Sequence, residues 1–162
     1  MLVRMEGVLR ALAERKLTLA IAEGDTGGLL LEQLTAIPGS SAVVLGGVVA
    51  YADSLKCELL HVPPEVLQQY GAVSAEAACA MAGGVREVAH AAIGLATTGI
   101  AGPGGATPTK PVGLAYVAAA SAEGTLVREH RWHGERRENR RSSASAALAL
   151  LQELLAQKYM TS

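Results

Sequence analysis

Apolar residues first recur at helical spacing along this chain and then gather into short unbroken runs, and that change of period lays out the fold. Leu2, Met5, Leu9, Leu12 and Ala13 share one face of the stretch from Met1 to Lys16. Arg4, Glu6, Arg10, Glu14 and Arg15 interrupt them, which predicts an amphipathic surface helix. The run Leu17-Thr18-Leu19-Ala20-Ile21-Ala22 reads as a buried strand, and Leu29-Leu30-Leu31 with Leu34 as the next helix. After the turn Pro38-Gly39-Ser40-Ser41, Val43 to Val49 predicts a second strand. Helical pieces from Asp53 to Leu60 and from Glu65 to Tyr70 follow, split by Pro63-Pro64. Ser74 offers an N-cap for a long alanine-rich helix ending near His90. Ala91 to Thr98 predicts a third buried strand, and Val112 to Ala120 with Thr125 to Trp132 a hairpin. A last helix from Arg136 to Gln157 lines up Ala144, Ala147, Leu148, Leu151, Leu154 and Leu155.

Alternating strands and helices closed by a hairpin argue an α/β sandwich on a mixed sheet. No repeat, linker or low-complexity tract divides the chain, so residues 1–162 read as one domain. At 50% hydrophobic and 18% charged, the composition lies far from the disordered regime. With no Phe and one Trp, the core must be built from Leu, Val, Ala and Ile, which brings helices and sheet close together. A net charge of −1 supplies no global field for nucleic acid or an anionic membrane. No targeting signal or membrane span is read, and cytoplasmic residence is the expectation. Cys57 and Cys79 form no CxxC and read as two buried reduced thiols.

Chemistry concentrates in two glycine-rich loops, Ala22-Glu23-Gly24-Asp25-Thr26-Gly27-Gly28 and Thr98 to Pro108. Each follows a predicted strand, where small residues let a ligand reach backbone N–H groups at a helix start. Neither matches a Rossmann or Walker pattern. Glu23 and Asp25 read either as a carboxylate pair for acid–base work or magnesium, or as an N-cap aspartate beside a solvated glutamate. Lys56 reads as a general base near an apolar pocket or as an ordinary exposed helix lysine, with Tyr51 as a partner for an oxyanion. His130 and His133, three apart on a strand, would point to opposite faces and not chelate together. Arg136, Arg137, Arg140 and Arg141 open the last helix as a solvated face or a grip for one phosphate.

Taken together, Ala22-Glu23-x-x-Thr26-Gly27-Gly28, Pro38-Gly39-Ser40-Ser41, Gly46-Gly47-Val48-Val49-Ala50-Tyr51, Lys56, Gly71-Ala72-Val73-Ser74, Thr98-Gly99-Ile100-Ala101-Gly102-Pro103-Gly104-Gly105, Lys110-Pro111-Val112-Gly113 and Gly134-Glu135-Arg136 resemble the CinA C-terminal domain family. Stand-alone members are nicotinamide-nucleotide amidohydrolases. The resemblance runs from about Leu9 to Leu155. It implies a three-layer α/β/α sandwich with a mixed, mostly parallel sheet, a homo-oligomer with a dimer favoured, and no cofactor or metal. It also implies hydrolysis of the carboxamide of nicotinamide mononucleotide to nicotinic acid mononucleotide and ammonia. In that chemistry a first-loop serine attacks, a lysine takes its proton, and a tyrosine and a threonine assist. By motif position these helpers are Lys56, Tyr51 and Thr98. Substrate contacts fall to Gly24, Asp25, Thr26, Gly27, Gly28, Gly99, Gly102, Arg136 and Arg140.

One departure matters. The family loop reads Glu-Ser-Cys-Thr-Gly-Gly, whereas this chain has Glu23-Gly24-Asp25-Thr26-Gly27-Gly28. Gly24 stands where the nucleophilic serine belongs. The expectations are therefore an amidohydrolase that uses water held by Asp25 or the Thr26 hydroxyl, an inactive paralogue that keeps the nucleotide pocket for binding or regulation, or a hydrolase whose Asp25 changes the substrate class.

Overall fold

The computed structural model describes residues 5–159. Its elements are helix α1 (Met5–Glu14), strand β1 (Leu19–Glu23), α2 (Leu29–Thr35), β2 (Val44–Val49), α3 (Asp53–Leu60), α4 (Pro64–Tyr70), α5 (Ala75–Val88), β3 (Ile93–Gly99), β4 (Leu114–Ser121), β5 (Gly124–Arg131) and α6 (Arg136–Lys158). The start of the predicted first helix, with Leu2 and Arg4, lies outside the described residues.

Period-two alternation in the strands divides the core in two. Leu19, Ile21, Ile93, Leu95, Val117 and Ala119 belong to one apolar cluster with residues of α1, α2 and α6. Ala20, Ala22, Ala96, Ala118 and Ala120 belong to a second, with residues of α3 and α5. The result is the expected three layers. Both faces of β1 are covered, which explains its unbroken apolar run. The second face is lined with alanine, and there the backbones nearly touch. A Cβ on Gly84 of α5 would overlap the Leu60 carbonyl at the end of α3, and one on Gly94 of β3 would overlap Ala82 of α5.

Strand order is β2-β1-β3-β4-β5. β1 pairs parallel with β2 and β3, β4 runs antiparallel to β3, and β5 turns back along β4. Only β4 therefore opposes the common strand direction. The three parallel strands consequently end on one edge. β5 closes the other side of the sheet with Arg128, Glu129 and Arg131, charges suited to an open edge.

Local caps hold the helix starts. Ser74 Oγ accepts from the Ala77 N–H at 3.1 Å and donates to Gly71 O at 2.8 Å. Glu135 and Glu138 form a capping box at the start of α6. Cys57 and Cys79 are free and half-buried, not fully buried as expected; Cys79 packs only at the rim of the second cluster, and Cys57 follows the buried Lys56 on α3. Among the described residues no helix is long and apolar enough to cross a membrane.

Candidate functional site

The loops leaving β1, β2 and β3 enclose a cleft of about 460 Å³ at the carboxyl edge of the sheet. Gly24 and Asp25 come from the first loop, Tyr51, Asp53 and Lys56 from the β2–α3 segment, and Thr98 through Gly105 from the second glycine loop. Ala72 and Val73 close one side, and Arg136 at the start of α6 closes another. Lys110 fastens the second loop in place by donating to Tyr70 O and, at 2.8 Å, to Val73 O.

Glu23 is the largest correction to the sequence reading. It is the last residue of β1, only 1% exposed, and not solvated. Its carboxylate accepts from the N–H groups of Gly28 (3.0 Å), Leu30 (3.0 Å) and Leu31 (2.8 Å). Glu23 thus caps α2 from outside the helix, and Asp25 does not. Gly27 and Gly28 take the left-handed φ of +59° and +98° that lets the chain turn over this carboxylate. The backbone donors at the start of α2 are therefore spent within the protein and do not cradle a ligand.

Thr26, Gly27, Gly28 and Arg140 do not line the cleft. Thr26 Oγ1 is buried 2.7 Å from Thr97 Oγ1. Arg140 donates to Asp25 O at 3.1 Å and to Thr26 O at 2.7 Å, so it braces the loop from behind. Arg136 does reach the cleft. Its guanidinium donates to Gly102 O at 2.8 Å and to the Tyr51 hydroxyl at 3.0 Å, which ties the second loop to the exposed Tyr51 ring. Gly24, Asp25, Tyr51, Lys56, Thr98, Gly99, Gly102 and Arg136 are thus brought together.

Lys56 is only 4% exposed, contrary to the ordinary helix-surface reading. Its Nζ donates to Asp53 Oδ1 at 3.2 Å and to Tyr51 O at 3.4 Å. Thr98 Oγ1 donates to Ala72 O at 2.7 Å, which leaves its lone pairs free to accept. Gly24 N donates to Thr97 O at 2.9 Å and pins the loop to the end of β3. A Cβ on Gly24 would stand 3.0 Å from Thr97 O and 3.7 Å from Thr98 Oγ1.

Asp25 is 8% exposed, and its Oδ1 has no hydrogen-bond partner. Burial pushes its carboxyl up to about 6, and the Glu23 charge adds to the rise; the Ser143 hydroxyl, its own backbone N–H and Arg140 pull the other way.

Sequence reasoning missed Asp53 and Asn139. Asp53 sits three residues before Lys56 on α3, a spacing that does pair side chains. Asn139, 2% exposed, donates to Ala101 O at 3.0 Å and accepts from Gly134 N–H at 3.1 Å, bracing the second loop. No local pattern marks that role. His130 stacks on Trp132 at 4.8 Å, and no group of three or more metal-ligating side chains occurs among the described residues.

Layers, strand order and strand-edge cleft define an α/β/α domain with an open cleft where its parallel strands end. The family model described as the CinA C-terminal domain matches residues 3–155. A CinA-like protein of Syntrophus aciditrophicus is 48% identical over 155 residues, 94% of this chain and 37% of that protein. One from Acidobacterium capsulatum is 48% identical over 148 residues, 91% of this chain and 36% of its own. The crystal structure of competence damage-inducible protein A from Klebsiella pneumoniae superposes with a TM-score of 0.92 at 32% identity, covering 95% of this chain and 96% of that one. Competence/damage inducible protein CihA from Agrobacterium tumefaciens gives 0.86 at 39% identity, covering 93% and 94%. The chain belongs to the CinA C-terminal domain family, and it spans little more than a third of the length of the curated relatives it matches.

Proposed function

We propose that the cleft binds a pyridine nucleotide of the nicotinamide mononucleotide type, and that the covalent amidohydrolase route implied by the family resemblance is closed in this chain. One observation carries the reading. Lys56, Tyr51, Thr98 and Arg136 share the cleft with Gly24, a residue that has no atom with which to attack. The parts that would hold and polarise a substrate are present, and the part that would bond to it is missing.

In the covalent route a hydroxyl loses its proton to the lysine as its oxygen bonds to the amide carbon. Here Lys56 instead donates to Asp53 and to the Tyr51 carbonyl. Thr26 does not stand in, because its Oγ1 is buried against Thr97 and outside the cleft lining. Removing the nucleophile of a serine protease costs ~10⁶-fold in turnover. Arg136 at the mouth suits a phosphate, and the glycine loop lets the ligand approach backbone closely.

Isothermal calorimetry of the whole chain with nicotinamide mononucleotide tests the binding, and ammonia release on the same sample tests turnover. Saturable heat with negligible ammonia is expected. No heat and no thermal shift at millimolar nucleotide overturns the reading. A second reading, favoured by the raised and unpartnered Asp25, is direct attack by water with Asp25 as base. It requires ammonia release that climbs as pH rises through about 6 and disappears in Asp25→Asn.

A further inference from the structure

Lys110, the first residue of the motif Lys110-Pro111-Val112-Gly113, does not line the cleft, yet its ammonium grips the wall that closes one side of it. From this contact we infer that Lys110 is a positioning residue: it holds the segment from Tyr70 to Val73, and through Ala72 the Thr98 hydroxyl, in the arrangement that admits the ligand. The inference rests on the nucleotide reading above for its probe, and adds to it the residue that keeps the cleft in shape.

Side chains, not secondary structure, satisfy the backbone of this wall. α4 ends at Tyr70, and Gly71 turns the chain away with a left-handed φ of +78°. The successive carbonyls of Tyr70, Gly71, Ala72 and Val73 then take their donors from three side chains. Lys110 Nζ donates to Tyr70 O and, at 2.8 Å, to Val73 O. Ser74 Oγ donates to Gly71 O at 2.8 Å, and Thr98 Oγ1 donates to Ala72 O at 2.7 Å. Among the described residues no backbone N–H reaches any of these carbonyls. Ser74 acts only on its own turn, so without Lys110 the Thr98 bond alone ties the wall to the rest of the cleft.

An ammonium suits the task. Carbonyls at a helix C-terminus carry partial negative charge, and a cation bonds to them more strongly than a neutral donor does. Three N–H groups on one compact centre can serve two carbonyls at once. Gly71 makes the room, because a Cβ there would stand 2.8 Å from Lys110 Nζ. The lysine backbone is itself fixed: Thr107 and Lys110 exchange N–H···O bonds of 2.9 and 3.3 Å, and Gly113 N donates to Ile100 O at 2.7 Å. Among the described residues no carboxylate pairs with Lys110, so none competes for its charge. The consequence for the cleft runs through Thr98. Its hydroxyl gives its proton to Ala72 O, so the position of Ala72 sets where the Oγ1 lone pairs stand. A wall free to shift carries Ala72, Val73 and that hydroxyl with it, and only the fraction of molecules in the right arrangement binds.

The test compares the whole chain with Lys110→Met and Lys110→Arg, by calorimetry with nicotinamide mononucleotide and by amide hydrogen exchange without ligand. Lys110→Met keeps an apolar stem and removes the donors. It should bind the nucleotide about tenfold more weakly, as a binding-competent fraction near one tenth requires. The Gly71 and Ala77 amides, bonded to Leu67 O and Ser74 Oγ, should exchange faster while those of β1 and β3 do not. Lys110→Arg keeps the charge and the donors and should stay within about threefold of the wild type. Lys110→Gln, a milder change, carries the same test if the methionine variant does not fold. Unchanged affinity or unchanged exchange in Lys110→Met overturns the inference, and so does an arginine variant as weak as the methionine one. A lysine that served folding alone would lower the melting temperature and leave the affinity as it was. If the wild type binds no nucleotide, the nucleotide reading fails instead, and exchange at Gly71 and Ala77 in Lys110→Met then decides the role of Lys110 by itself.

Discussion

Restoring a hydroxyl at position 24 should restart chemistry, and the structure sets the terms. Gly24 does not have a positive φ, so serine meets no backbone strain there. Its Cβ would lie 3.0 Å from Thr97 O, a tight contact, and 3.5 Å from Thr98 Cα. That carbonyl also accepts the Gly24 N–H at 2.9 Å, so the loop and the end of β3 must part by a few tenths of an ångström. Crowding of this kind costs about 1 kcal/mol, the low end of overpacking, and for a domain of this size lowers Tm by about 2–4 °C. On the other side stands a lost nucleophile, a deficit of up to ~10⁶-fold. Only part of it returns, because the crowding against Thr97 O displaces the new hydroxyl from its best line of attack. The Asp25 carboxylate also opposes negative charge building on the amide oxygen. Gly24→Ser should therefore release ammonia from nicotinamide mononucleotide at least about tenfold faster than the wild type, a barrier change of ~1.4 kcal/mol. Gly24→Ser/Asp25→Cys should exceed the single variant. Thermal melts and nucleotide calorimetry on each variant separate lost folding from lost chemistry. The closed covalent route is refuted by wild-type turnover in the ordinary enzyme range of ~1–10³ s⁻¹. Restored attack from position 24 is equally refuted if both variants fold and bind the nucleotide yet gain nothing.

Three further predictions concern stability. Because Asp25 holds its proton up to about 6 in the fold and only to 3.8 when unfolded, its contribution is intact below pH 4 and is lost as pH rises through 6. Asp25→Asn should therefore stabilise the protein by about 3 kcal/mol above pH 7 and by nothing below pH ~4, as read by urea unfolding across that range. Glu23→Gln replaces a buried carboxylate that accepts three N–H groups with an amide that turns its own donors toward them; a loss of about 3 kcal/mol in chemical denaturation is expected, and unchanged stability would remove Glu23 from its capping role. Gly84→Ala forces α5 away from the Leu60 carbonyl and should cost at least about 2 kcal/mol, whereas Gly83→Ala, with open space around it, should be neutral or mildly stabilising in the same assay.

Much of the layout was legible one segment at a time. Hydrophobic period separated strands from helices, Pro63-Pro64 split α3 from α4, Ser74 started α5, and the alanine content announced the close packing at Gly84 and Gly94. These signals are local, because each depends on what a few consecutive residues do to their own backbone. The two glycine loops could be placed on one sheet edge, since parallel strands must end together. What each loop residue does there was another matter. Glu23, open between acid–base work and a solvated carboxylate, caps α2; Lys56, open between a base and an exposed helix lysine, is buried; Arg136 and Arg140 looked alike, yet one enters the cleft and the other braces the loop behind it. The deciding contacts join residues far apart in the chain, 85 positions from Arg136 to Tyr51 and 114 from Arg140 to Thr26. The sequence by itself determined the layers, the glycine loops and the missing side chain at position 24. Tertiary structure alone decided which polar groups satisfy one another and which, like Asp25 Oδ1, are left without a donor, because burial and pairing are properties of neighbours in space.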